Sequence, residues 1–251
     1  MAEYFYDGTF EGFLCCVYAH YYKEKATAIF LRGGLQQMTF LDTAIEIETD
    51  AKQADVVYRA IEKKISAFDL ERAYRIFLAD DPQKEMILLN YLRLGFLKGS
   101  SISQYHGSEI VRAAEKLEKK VTFEAHRLMG LLRFSVLEDE ILYAELAPDH
   151  NVLTLIAPHF SDRYKNNPFI IHDLRRSKAV IAAGGHWYLS EFMKKELTKE
   201  YHRKEMEYRK LWKKYFENIA IKERTNLRCQ KNFMPVRYWE HLTEMKEETE
   251  E

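Results

Sequence analysis

Cysteine is scarce in this chain: three in 251 residues, two of them adjacent at Cys15 and Cys16. Three thiols without a C-x-x-C pair cannot build a disulfide framework and lack the spacing that holds an iron–sulfur cluster. That predicts a cytoplasmic protein with no cofactor of its own. Long apolar runs are also missing. No uninterrupted stretch approaches the roughly 18 residues of a spanning helix. The start, Met-Ala-Glu-Tyr-Phe-Tyr-Asp, lacks the basic region and apolar core of a signal peptide. Neither membrane insertion nor secretion is expected. Catalytic signatures are missing as well. Gly33-Gly34 is not followed by the Lys-Ser/Thr of a phosphate loop, no serine has a glycine-flanked elbow, and no H-x-x-x-H or H-E-x-x-H spacing supports a metal site.

What is present describes a folded protein, with 47% hydrophobic, 14% aromatic and 31% charged residues in 29.8 kDa, enough for one large domain or two modest ones. A formal charge of −1 conceals an asymmetry. Lys194 to Lys231 carries 13 Lys or Arg against 6 Glu, whereas Glu240 to Glu251 carries 6 Glu against one Lys. A basic segment before an acidic tail suits polyanion binding, and it equally suits a solvated helix face whose charges cancel locally.

Residue patterns predict an α+β fold. Tyr4-Phe5-Tyr6 reads as a strand and Asp7-Gly8-Thr9 as a turn that caps a helix through Phe13, Val17 and Tyr21. Thr39 to Thr49 suits one or two strands, with Asp50 capping the next helix. Ala67 to Leu97 is helical, broken near Asp80-Asp81-Pro82, and its second half is apolar nearly all round, which predicts burial. Gly99 to Gly107 reads as a Ser-rich loop and Ser108 to Lys120 as a helix. Leu131 to Leu137 and Ile141 to Leu146 read as an antiparallel hairpin, and Pro168 to His172, Ala179 to Ala183 and His186 to Leu189 as further strands of a mixed sheet. Asn151 to Tyr164 is helix-like, although 152–156 also fits a strand. Glu191 to Ile221 reads as one or two basic helices whose seam of Tyr208, Leu211, Trp212, Tyr215, Phe216 and Ile219 docks on the sheet. Beyond Asn226 the pattern is irregular. The expected organisation is a helical part with a small sheet at 1–120, a mixed sheet plus basic helix at 121–239, and an acidic tail at 240–251.

Polar clusters between short apolar runs supply the candidate sites. Glu124, His126, Arg127 and Arg133 can hold an anion or form a structural ion-pair group. His126, His159 and Asp173 are candidate catalytic groups for acid, base and orienting roles, with Asp173 beside Arg175 and Arg176 better placed to pair with arginine. Arg163 lies one helical turn from His159. Lys213, Arg224, Asn226, Arg237, Tyr238 and Trp239 mix cations, an amide and rings, the set that contacts phosphates and bases. With Arg127, Arg133, Arg163, Arg175 and Arg176 they form the candidate DNA- or phosphate-binding set; no metal is expected.

The ordered residues Tyr6-Asp7-Gly8-Thr9-Phe10-Glu11-Gly12, Glu124-x-His126-Arg127, Arg133-Phe134, Leu142-Tyr143-Ala144, Pro148-Asp149, His159-Phe160-x-x-Arg163, Asp173-x-x-Arg176, Leu211-Trp212-x-x-Tyr215, Ile221-x-x-Arg224-x-Asn226 and Met234-Pro235-x-Arg237-Tyr238-Trp239 span nearly the whole chain. Through them it resembles a bacterial family described as probable DNA metabolism proteins. The resemblance implies a DNA repair or modification accessory protein that binds DNA and works with a radical-SAM DNA modification or repair protein. It also implies a link to uracil-DNA-glycosylase-like domains, which occur fused to this one. His172 departs from the pattern, where an aromatic such as Tyr is expected. Two other classes stay open: an enzyme acting directly on nucleotides or damaged bases, and a protein-interaction scaffold.

Overall fold

In the computed structural model, which describes residues 2–33, 43–193 and 201–246, the chain divides into two units between Thr122 and Phe123. The architecture is α+β. No described helix is long and apolar enough to cross a membrane.

The first unit is built on a parallel three-stranded sheet in the order β2 (Ala26–Leu31), β1 (Ala2–Tyr6), β3 (Thr43–Glu46). Tyr4 and Tyr6 are fully buried in its central strand. Asp7 ends β1 and fixes the exit: its Oδ1 accepts from Thr9 N (2.9 Å) and Thr9 Oγ1 (2.7 Å), and its Oδ2 accepts from Thr49 Oγ1 (2.8 Å). These hydrogen bonds outweigh the opposing effect of burial and hold the Asp7 carboxyl below its ordinary pKa. Thr9 then caps α1 (Phe10–Tyr22) by accepting from Gly12 N at 2.9 Å.

Gly12 has no room for more. A Cβ there would lie 2.3 Å from Asp7 Oδ1 and 2.8 Å from Thr49 Oγ1. Gly12→Ala must break this latch and is expected to destabilise by about 1–3 kcal/mol. An unchanged thermal midpoint would show that the latch gives way freely.

Asp50 caps α2 (Ala51–Lys64) through Lys52 N and Gln53 N, as its position predicts. Of the expected strand region, Thr39-Phe40-Leu41 lies outside the described residues, as does Gly34 of the Gly33-Gly34 turn. Helices α3 (Ala67–Phe77) and α4 (Lys84–Lys98) flank the Asp80-Asp81-Pro82 break. The apolar helix α4 is buried along Glu85, Leu88, Leu89, Tyr91, Leu92 and Gly95, whereas Leu97 near its end is 78% exposed. The expected Ser-rich loop is instead a 3₁₀ helix at Gly99–Gln104. Between these helices lies a buried charged group. Arg72 donates to Glu118 Oε2 (2.7 Å) and to Tyr91 Oη (2.9 Å), and Tyr91 donates to the fully buried Asp69 (2.6 Å).

Helix α5 (Glu109–Leu131) corrects two expectations. It runs eleven residues beyond Lys120, and Leu131 ends it where a strand was expected. The reason is register: Val111, Ala114, Leu117, Val121, Ala125 and Leu128 are all buried at three- and four-residue spacing. The unit boundary falls inside it.

The second unit holds a five-stranded mixed sheet in the order β4 (Ser135–Val136), β5 (Leu142–Leu146), β6 (Phe169–Asp173), β7 (Lys178–Ala183), β8 (His186–Glu191). Only β5 and β6 are parallel. The expected hairpin is present but short, since β4 keeps two residues. Between β5 and β6 runs α6 (Leu153–Arg163), a helix that continues through Pro158 and settles the alternative of a strand at 152–156. It lies against β7 and β8. Gly184 and Gly185, with φ of +59° and +79°, form the two-residue turn joining β7 to β8. On one face Leu137, Tyr143, Ile170, Ala179 and Phe192 form a core.

The C-terminal part differs most from expectation. Residue 191 still belongs to β8, 194–200 lie outside the described residues, and α7 spans only Glu205–Ile219. Its seam is not docked on the sheet: Tyr208, Leu211, Tyr215 and Ile219 are exposed, and only Glu205 is buried. Past Asn226 the chain is helical again in α8 (Leu227–Phe233), then 3₁₀ at Val236–His241. Of the expected acidic tail, 247–251 lie outside the described residues.

Candidate functional site

Glu124 falls on the buried face of α5, where a carboxylate needs partners. It finds four. Its oxygens accept from Asp149 N (2.9 Å), His150 N (2.7 Å), Tyr238 Oη (2.5 Å) and Arg237 Nη2 (3.4 Å). Tyr238 is buried, and burial together with the Glu124 carboxylate pushes its phenol pKa up, so it remains a donor. Arg237 also reaches Asp149 Oδ2 at 3.0 Å. Burial opposes its charge, but Tyr238, Asp149 and Glu124 outweigh that and raise its pKa.

The β6–β7 turn joins the same group. Asp173, fully buried at the end of β6, accepts from Arg175 N and Arg176 N at 3.0 and 3.2 Å, which shapes the turn. Arg176 Nη1 then donates to Asp173 Oδ2 and to Pro148 O, both at 3.0 Å. Arg175 approaches Asp149 Oδ1 at 3.4 Å from a half-exposed position. Glu124, Pro148, Asp149, Asp173, Arg176, Arg237 and Tyr238 thus lie in one network that fastens the chain after α8 to the sheet.

A second fastening lies nearby. Glu244 accepts from both Arg133 Nε (3.2 Å) and Nη2 (2.7 Å), and from Trp212 Nε1 (2.9 Å), while the Arg133 guanidinium stands 5.4 Å over the Trp212 ring. Burial would raise the Glu244 pKa, but Arg133 and Trp212 outweigh it and lower it. A depressed folded pKa means a stabilising contribution that is complete above the ordinary carboxylate value and lost as pH falls through the folded one. Acid titration followed by tryptophan fluorescence should therefore show a change near Trp212 below the usual carboxylate range, absent in Glu244→Gln. A third fastening holds the start of α7: Glu205 accepts from Val136 N (3.0 Å) and Arg209 Nε (2.8 Å), and Arg209 donates to Ser135 Oγ (2.7 Å). Sequence reasoning missed Glu205, Arg209 and Glu244. The i, i+4 spacing of Glu205 and Arg209 was a usable signal; Glu244 was hidden in a run read as a tail.

The sequence candidates separate into engaged and solvated groups. Arg133, Arg176 and Arg237 are matched with carboxylates. Tyr238 is buried, Trp239 is half-buried and donates to Met234 O (2.9 Å), and Asn226 caps α8 by accepting from Cys229 N (3.0 Å). Lys213 is half-buried on α7. Exposed are His126 and Arg127 on α5, His159 and Arg163 on α6, and Arg224 in the 3₁₀ turn Lys222–Arg224. Among the described residues no hydrogen bond or ion pair joins His126, His159 and Asp173, which differ in burial as well as in element. His172, the departure from the family pattern, is buried with its Nδ1 2.9 Å from Tyr143 Oη and its ring edge-on to Phe192. No group of three His, Cys, Asp or Glu placed to hold a metal occurs among the described residues.

Between the fastenings at Glu205 and at Arg237-Tyr238, residues 206–236 form an arm that the rest of the unit leaves largely uncovered. It carries eight Lys or Arg against three Glu. Tyr208, Leu211, Tyr215, Ile219, Leu227 and Phe233 are exposed along it.

A family model described as a domain of unknown function, DUF4130, matches residues 82–244. Neither the curated proteins nor the solved structures yield a match.

Proposed function

We propose a DNA-directed role from a plain premise: this chain belongs to the DUF4130 family of domains of unknown function. It acts as an accessory protein of DNA repair or modification, binding DNA and cooperating with a radical-SAM enzyme. The likeness to DNA metabolism proteins along Tyr6 to Trp239 supports the process. The observation that carries DNA contact is the uncovered arm with its excess of cations. Phosphates are held by such exposed cations, and their release of counterions makes binding salt-dependent. Arg127, Arg163, Arg175 and Arg224 add exposed charge, whereas Arg133, Arg176 and Arg237 position the arm through their carboxylates. The three cysteines, Cys15, Cys16 and Cys229, lack the spacing of a three-cysteine cluster site, so on this reading radical generation falls to the partner. A uracil-DNA-glycosylase-like protein is a further partner of the same kind.

The test is DNA affinity against salt. Between about 50 and 300 mM salt the logarithm of the association constant should fall steeply, and Arg224→Ala with Arg228→Ala should make the slope shallower by about 2. A flat response would remove phosphate contact from the reading. One observation favours a second reading, in which the arm docks a protein: its exposed apolar side chains exceed what isolated surface residues explain. That reading predicts association with the radical-SAM partner that survives high salt without DNA.

A further inference from the structure

Helix α7 presents rings to solvent in a pattern that bears on the form of DNA. Tyr208 and Tyr215 are 59% and 56% exposed and lie two turns apart on the same side. At 1.5 Å rise per residue their attachment points are about 10 Å apart along the axis. Trp212 between them is nearly parallel to Tyr215, with centroids 5.7 Å apart and planes at 28°. Arg133 covers one face of Trp212, leaving the tyrosines as the open surfaces.

Such a row would serve a protein core if something apolar covered it, yet its surroundings are cationic. Lys210 and Lys214 are exposed on the same helix, and Arg224, Arg228 and Lys231 follow it, all exposed. A helix is about 10 Å across, a little more than the Debye length of about 8 Å at physiological salt, so lysines on the far side act on the rings weakly there and more strongly at low salt. An occupant of this face must therefore combine negative charge with flat apolar surfaces. A nucleic-acid strand has both. In a duplex the base faces are hidden in the stack and only edges and phosphates are offered, so the exposed rings would have nothing to contact.

We infer that α7 binds unpaired nucleic acid: bases stack on Tyr208 and Tyr215, flanked by Leu211 and Ile219, and phosphates lie toward Lys210 and Lys214. This rests on the DNA-directed reading above and specifies the strand state that reading leaves open. The protein would engage exposed strands or extruded bases, at gaps or beside a partner that opens the helix.

Fluorescence anisotropy with a labelled oligothymidylate of about 12 nucleotides, against a duplex of equal length, tests it on the full chain. The single strand should bind at least about tenfold tighter. Tyr208→Ala with Tyr215→Ala should weaken it by about 10- to 100-fold with an unchanged salt slope, since stacking releases no counterions. Tyr208→Phe with Tyr215→Phe should retain binding, because the ring face suffices; circular dichroism verifies that α7 persists in each variant. Equal affinity for both forms, or ring variants without effect, would overturn the strand assignment and leave DNA contact standing. No binding of either form at low salt would defeat both. Sedimentation showing a dimer that Tyr208→Ala dissolves, together with no oligonucleotide binding, would assign the face to a second copy instead.

Discussion

Glu124→Ala is expected to destabilise the second unit by about 3–5 kcal/mol. The substitution removes the acceptor for two backbone amides, a buried phenol and a guanidinium at once. The two amides and the buried Tyr238 hydroxyl lose their acceptor, while Arg237 keeps Asp149 at 3.0 Å. Glu124→Gln keeps the volume and one accepting oxygen but gives up the charge opposite Arg237; about 1–3 kcal/mol is expected. Arg237→Ala should cost less than either, because that side chain is nearly half exposed and screened. Urea unfolding followed by tryptophan fluorescence orders the three variants. If Glu124→Ala and Arg237→Ala proved equal, the carboxylate would not be the centre of the group.

The corresponding change in the first unit is Arg72→Ala, also expected to lose about 3–5 kcal/mol. Its guanidinium lies between Glu118 and the Tyr91 hydroxyl, which in turn donates to Asp69, a carboxylate with no exposure. Burial works against the Arg72 charge, but Tyr91 and Glu118 outweigh it and raise its pKa. Without the cation two carboxylates remain in a poorly solvated place. Replacing Arg72 and Glu118 together by apolar residues of similar volume should recover much of the loss, since the cost comes from the uncompensated partner. A double-mutant cycle measures it; additive losses would show that the two side chains act independently.

Local punctuation made much of this fold legible. Asp7-Gly8-Thr9 and Asp50 announced their helix starts because capping is settled within three residues. The strands around 169–191 stood out as short runs rich in β-branched and aromatic residues, and the Gly184-Gly185 turn between the last two, which sequence reasoning passed over, was a further local signal. The length of α5 was not legible, because Glu124, His126 and Arg127 interrupt an apolar pattern that in fact continues through Val121, Ala125 and Leu128. Glu124 reads as a surface charge until its partners are known, and Tyr238 lies 114 residues away. The spacing at Tyr208, Leu211, Trp212 and Tyr215 revealed a helix with one apolar side, but spacing alone does not say what covers that side. The arginines could be nominated from sequence but only partly sorted: Arg176 has Asp173 three residues before it, whereas Arg237 differs from Arg127 and Arg163 only in what the tertiary structure brings near it.

The arm between Glu205 and Arg237 is fastened at both ends within one unit. A ligand arriving there meets a surface whose shape is already set, so little further chain order must be created on contact, and more of each new contact remains as affinity. Such a surface favours rapid capture over slow wrapping, because no chain ordering has to precede contact.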